Sequence, residues 1–307
     1  MSIQKERATF TGQFRPVKDI SMTKYTFSGH ETFYCRHYWL KKGYDFLEAG
    51  NQFNDPDAVT NLGVGKNMVT SIRFWLRAFY INDEDRNNPV VLTELGRNLL
   101  DDNGWDPYLE DINSIWLLHY HLVKKGWASI YSLFFNKLKN GDKEFSNDKI
   151  MRGLIYLSEI ARQEAPNGKT LDNDIRVFRS NYLQPKKSQN IEDEFNGLLQ
   201  ELHLFEEIGK KNLVVQNADR DEISTELFFY AIIDRFIDRN SISAEEIITS
   251  ENSPGKIFCM SEHGVIKKLK EVEEKYEGVT FTEDAGIREL QLNGEFDKWN
   301  VLNGYYE

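Results

Sequence analysis

The stretch from Asp55 to Leu100 limits the possible folds most, because one short run of it carries an apolar stripe and a basic face together. Met68, Ile72, Trp75, Leu76 and Phe79 fall at i, i+4, i+7, i+8 and i+11, the spacing that lines one side of an α-helix. At about 100° per residue, Lys66, Thr70, Arg73 and Arg77 land on the other side. Residues 64–79 contain no Asp or Glu, so that face is polar and basic. Upstream, Asp55 is a good helix cap and Pro56 suits a first helical position, which predicts a short helix over 57–62. Gly63 supplies the positive φ of a tight turn, and Gly65 opens the next helix.

The residues that follow fit the same plan. Ile81 ends the apolar run, Asn82 to Pro89 reads as a polar turn, and Val90-Val91-Leu92 as a short β-branched strand. Thr93 then caps a helix running to Leu100. Helix, turn, helix, strand, turn, strand, helix is the order of a winged helix. In that arrangement the 64–80 helix enters the major groove of DNA, with Asn67, Thr70 and Arg73 placed for base edges and Lys66 and Arg77 for phosphates. The plainer alternative is a helical hairpin that only packs, with Lys66, Arg73 and Arg77 as its solvated face.

Charge argues in both directions. The chain carries a net charge of −11, which repels nucleic acid from most of the surface. A basic footprint must therefore be local. Residues 1–42 supply one, with eight Lys or Arg (Lys5, Arg7, Arg15, Lys18, Lys24, Arg36, Lys41, Lys42) against Glu6, Asp19 and Glu31. With 40% hydrophobic residues the composition is that of an ordered globular protein. No apolar run approaches the roughly 20 residues of a membrane span. Two cysteines, Cys35 and Cys259, give no disulfide framework, which fits a reducing cytoplasm.

The expected fold is mainly α, or α+β, in several units. Residues 1–24 form an N-terminal arm, 25–139 a winged-helix domain with a helical extension, 140–240 a helical and second winged-helix-like domain, and 241–307 a small α+β unit. The first winged domain opens with a helix over 39–49. Its extension comprises helices over 109–122 and 127–138, and the polar break at 139–142 marks its end. Helices over 146–161 and 171–183 follow, then Pro185–Ser188 and a helix over 191–202. A hairpin of 204–208 with 212–215 and a helix over 225–238 repeat the winged-helix order. Beyond these, 253–259 reads as a turn into a strand, 263–276 as a charged helix, and 279–281 as a strand.

No motif announces chemistry. There is no P-loop, no GxGxxG after a strand, no GxSxG and no HExxH. The segment 25–36 is dense in aromatic and ionisable groups, and His30, Glu31, Cys35 and Arg36 form a candidate functional patch. Its structural alternative is an arm packing aromatics onto the first domain. His30, Cys35 and His37 do not complete a four-ligand metal set, and no third residue orients Cys35 and His30 as a nucleophile pair. His119 and His121, two apart on a helix, cannot share a metal and read as core or boundary residues. No catalytic residue, metal or cofactor is assigned.

Three blocks, "FSGHETFYCRHYWLKKGYDFL" (27–47), "DAVTNLGVGKNMVTSIRFWLRAF" (57–79) and "LEDINSIWLLHYHL" (109–122), resemble a bacterial family of domain-of-unknown-function proteins. "SPGKIF" (253–258) and the terminal Tyr305-Tyr306 fit as well. Members of that family occur beside proteins resembling phosphoadenosine-phosphosulfate reductases, in DNA phosphorothioation and phage-exclusion loci. The resemblance implies a role in bacterial DNA modification or anti-phage defence, with DNA and proteins of the same locus as partners. It assigns no catalytic residue. Two other roles compete: a protein–protein adaptor without DNA contact, and an accessory subunit of a sulfur-transfer enzyme with Cys35 as sulfur carrier. The chain is compatible with a homo-oligomer.

Overall fold

The computed structural model describes residues 24–85, 88–184, 197–209, 212–284 and 286–307. Within them the protein is mixed α+β, with thirteen α-helices and three small antiparallel sheets. The expected arm lies outside the described residues except for Lys24. Helices α1 (Trp39–Glu48), α2 (Ala58–Leu62) and α3 (Lys66–Ala78) come first. Gly63 ends α2 at φ 61° and Gly65 precedes α3 in extended backbone, so the turn depends on the residue type that tolerates it. The inner face of α3 buries Val69, Ile72, Phe74, Trp75 and Leu76.

The next segment departs from expectation. Strand β1 (Asn82–Asp85) pairs antiparallel with β2 (Asn88–Leu92) where a polar turn over 82–89 is predicted. Strand pairing is made by the backbone, and an acidic strand at the margin of a two-stranded ribbon needs no apolar side chains on its outer face. The pairing register shifts between Asp83 and Asp85, the mark of a β-bulge. Thr93 caps α4 (Glu94–Leu100), its side chain accepting from the Gly96 amide at 3.0 Å. Gly96 is required there, since a Cβ would lie 2.4 Å from the Ile81 carbonyl oxygen.

Helix α5 (Ile112–Lys125), capped by Asp111, is the buried axis of the molecule, with eleven of its residues inside from Asn113 to Val123. The predicted 127–138 helix is two pieces, α6 (Ser129–Leu133) and a π-helical turn over Phe134–Leu138. Strand β3 (Glu144–Phe145), α7 (Asn147–Ile160) and α8 (Gly168–Tyr182) follow, the two helices capped by Ser146 and Asn167. Pro185–Ser188 and the start of the predicted 191–202 helix lie outside the described residues. The end of that segment is a 3₁₀ turn over Leu198–Leu202. The expected hairpin is present as β4 (Phe205–Ile208) and β5 (Asn212–Val215), and β3 joins it in the order β3–β5–β4.

The last part holds α9 (Thr225–Arg235), β6 (Ser241–Ser243), α10 (Ala244–Thr249), α11 (Pro254–Ile257), α12 (Glu262–Lys275), β7 (Val279–Asp284), β8 (Ile287–Leu292) and α13 (Lys298–Tyr306). Its sheet runs β6–β8–β7. Here the predicted turn into a strand over 253–259 is wrong. Ser253 accepts from the Lys256 amide and Pro254 starts a short helix, a cap and first-position pair that outweighs the β-branched look of the run. The buried apolar residues form a continuous core from Cys35 to Leu302.

Candidate nucleic-acid interface

Helix α3 positions the predicted contact residues from one rigid element. Its inward side is committed to the core: Trp75 is fully buried, donates from Nε1 to the Phe33 carbonyl at 3.2 Å, and packs on Phe74, Phe79 and Tyr131. Lys66, Asn67 and Thr70 are exposed, while Arg73 and Arg77 are half-buried at the same outer side. Thr70 Oγ1 donates back to the Lys66 carbonyl at 3.4 Å, which leaves the hydroxyl able to accept.

The two arginines are held by neighbours that sequence reasoning did not identify. The Arg73 guanidinium donates from Nε and Nη2 to the Glu84 carboxylate, with Nε–Oε2 at 3.1 Å, and from Nη1 to Asn54 Oδ1 at 2.9 Å. The Arg77 guanidinium carbon sits over the Trp127 ring, 3.5 Å from its centre, a cation–π contact. The hairpin acid Asp83 pairs with Lys125 at 3.4 Å, and Lys125 in turn sits 4.0 Å over the Tyr80 ring. Glu84 is eleven residues from Arg73, and Trp127 is fifty from Arg77. No helical or strand period links them. The one sequence signal was the acidic content of the hairpin opposite a basic helix.

The 25–36 segment is a clasp between α3 and α8. The Ser28 amide donates to both oxygens of Asp174, at 3.0 and 3.1 Å, and His30 Nε2 lies 3.1 Å from Oδ1. The Thr32 amide donates to His30 Nδ1 at 3.1 Å, so Nε2 carries the proton and donates to Asp174. The His30 ring stacks on Trp75 with centres 6.3 Å apart. Ser28, Gly29, Glu31 and Thr32 all have positive φ, a turn sharp enough to bring the histidine back over the helix. At Gly29 a Cβ would meet the Phe74 ring at 2.9 Å.

Cys35 is fully buried, with its amide donating to Asn181 Oδ1 at 3.0 Å, and burial pushes its thiol pKa up. The thiol is thus kept protonated and away from solvent, the opposite of a reactive cysteine. Arg36 lies 5.5 Å from the Trp39 ring and Glu31 is exposed. Of the four, His30 and Cys35 are buried, Arg36 is half-buried and Glu31 is exposed.

His119 and His121 are buried on α5. His119 contacts the Ile257 carbonyl at 3.1 Å and the Tyr182 hydroxyl at 3.0 Å, and His121 contacts the Tyr230 hydroxyl at 2.9 Å. Burial lowers both to about 3. Among the described residues no three of His, Cys, Asp and Glu come together as metal ligands. A separate groove of about 990 Å³ is lined by Lys24, Tyr25, Phe27, Ile160, Arg162 and Thr170 among others, none of them on α3.

Comparison with known proteins gives a family and a fold. Residues 27–306 match the model of a family described as "Protein of unknown function (DUF4007)". A crystal structure of SspB is similar at 30% identity and a TM-score of 0.81, and a magnesium ion-bound SspB crystal structure at 29% and 0.82. Each comparison covers 92% of this chain and 88% of the other. No curated protein matches.

Proposed function

The chain belongs to the DUF4007 family of proteins of unknown function, and from that premise we propose that it binds duplex DNA through a winged helix formed by α1 to α4 and the β1–β2 hairpin. Helix α3 is its recognition helix, with Lys66 and Arg77 facing phosphates and Asn67, Thr70 and Arg73 facing base edges. A second unit of similar order is formed around β3–β5–β4. The protein acts as the DNA-binding or docking component of a bacterial DNA-modification or anti-phage defence system, alongside a partner resembling a phosphoadenosine-phosphosulfate reductase. The likeness to SspB structures supports the same setting.

One observation carries this reading. The outer side of α3 has no acid of its own and presents Lys66, Asn67 and Thr70 to solvent, while its inner side is locked into the core. Such a surface offers cations and hydrogen-bonding groups on a rigid rod of the right width for a major groove. Fluorescence anisotropy of the purified protein with a labelled duplex across a salt series tests it. Binding that weakens steeply as salt rises is expected, because displaced counterions drive the association.

A protein-docking role is the second reading, favoured by the net charge of −11 and by the neutralisation of Arg73 by Glu84. Absence of duplex binding at low salt, with retention of the purified reductase-like partner on the immobilised protein, would establish it. The buried, protonated Cys35 argues against a sulfur carrier at that position. One similar SspB structure holds magnesium; no group of three ligand-type side chains stands ready for such an ion among the described residues, and no step here runs through a metal.

A further inference from the structure

We infer that Arg73 reads a guanine in the major groove and that Glu84, on the β1–β2 hairpin, fixes its guanidinium in the reading plane. This rests on the DNA-binding role proposed above and names the base recognised. Three separate pieces of chain converge on the one guanidinium: the loop before α2 through Asn54, α3 through Arg73 itself, and the hairpin through Glu84. The pairing register shifts between Asp83 and Asp85, so that Glu84 alone stands opposite two residues of β2, and the ladder is irregular where Glu84 leaves it.

The geometry separates base reading from phosphate binding. A guanidinium has five N–H groups in one plane. Glu84 takes one from Nε and one from Nη2, and Asn54 takes one from Nη1. One N–H is left on each terminal nitrogen. Two parallel donors are what guanine O6 and N7 accept. The carboxylate cancels the arginine's charge, so the pair has little attraction for a phosphate and is not repelled by a neutral base edge. Holding the fork in advance removes the rotamer entropy that a free arginine loses on binding. Lys66 has no ion pair among the described residues and Arg77 has only its contact with Trp127, so these two keep their charge for the backbone.

A structural staple between hairpin and helix would show the same ion pair but no effect on base preference. The two are told apart by selecting duplexes from a randomised pool with the parent, Arg73→Lys and Glu84→Gln. Circular dichroism confirms that each variant is folded. The parent is expected to select a site with a guanine whose exchange for adenine lowers affinity about ten- to a hundredfold. Arg73→Lys, which keeps the charge and loses the fork, should reduce that ratio to near one. Glu84→Gln should do the same while binding random duplex more tightly, since a negative charge has left the interface. A parent that binds duplex with no base preference overturns the inference and leaves the DNA-binding role standing. So does a folded Glu84→Gln or Arg73→Lys that retains the guanine ratio. A parent that binds no duplex at low salt overturns both.

Discussion

Asp174→Ala tests whether the 25–36 segment is a clasp. Asp174 is buried and accepts from the Ser28 amide and from His30 Nε2, at 3.0 to 3.1 Å. Alanine removes the only hydrogen-bond acceptor shown for these two donors and strands them beside the Trp75 and Phe74 rings, on which His30 packs. A hydrogen bond to a charged group contributes about 1.5–3 kcal/mol. Part of the loss is returned because a buried carboxylate no longer has to be desolvated. A net destabilisation of about 3–5 kcal/mol remains. With an unfolding entropy near 2.1 cal/mol/K per residue, a chain of this size loses roughly 5–8 °C in Tm. Asp174→Asn, which keeps the shape and one acceptor, should lose less than half of that. Thermal melting by circular dichroism reads both variants. If Asp174→Ala melts within about 2 °C of the parent, the clasp is not holding α8 to α3. If it also loses DNA affinity while fully folded, His30 belongs to a functional patch instead.

Two further outcomes follow from the core. Trp75→Ala should cost about 3–5 kcal/mol, the usual range for deleting a buried aromatic, and a variant melting like the parent would refute the amphipathic assignment of α3. His119 and His121, lowered to about 3 by burial, are neutral in the fold but titrate near 6.5 when unfolded. Their contribution is complete above about pH 6.5 and is lost as pH falls toward about 3. Urea midpoints should therefore drop between pH 7 and pH 5 by an amount equivalent to about 2 kcal/mol per histidine. A pH-independent midpoint would show that the rings are solvated.

What the sequence revealed was local. The α2–turn–α3 unit is legible because Gly63 and the 3.6-residue apolar period lie within a few turns of each other, although the expected Asp55 cap is not made: α2 starts at Ala58 behind Asp57, whose side chain makes no capping bond, and Asp55 accepts from the Gln52 amide instead. The Thr93 cap and the β4–β5 hairpin were legible for the same reason. The acidic strand Asn82–Asp85 was not, because its pairing is a backbone property and its side chains look like a turn. Residues 254–257 were misread because Ile257-Phe258-Cys259 resembles a strand, while Ser253-Pro254 is the stronger local signal. The candidate site divides similarly. Lys66, Asn67 and Thr70 could be placed from periodicity, whereas Glu84, Asn54 and Trp127 meet the arginines only through tertiary contacts. The 25–36 motif stood out by its density of chemistry. Its partner Asp174 lies 144 residues from His30, so the sequence could not distinguish a buried clasp from an active patch.

The central claim is that the outer face of α3 meets DNA phosphates, and the salt dependence of a Lys66→Ala/Arg77→Ala variant tests it most directly. Lys66 is exposed and Arg77 is half-buried against the Trp127 ring at the outer side of α3, so the fold should survive, as circular dichroism would verify. Duplex affinity measured by anisotropy from low to moderate salt gives a log–log slope for parent and variant. Loss of two phosphate contacts should flatten that slope by roughly 1.8, about 0.9 for each counterion-releasing contact. A folded variant that keeps the parent's affinity and slope would contradict the account.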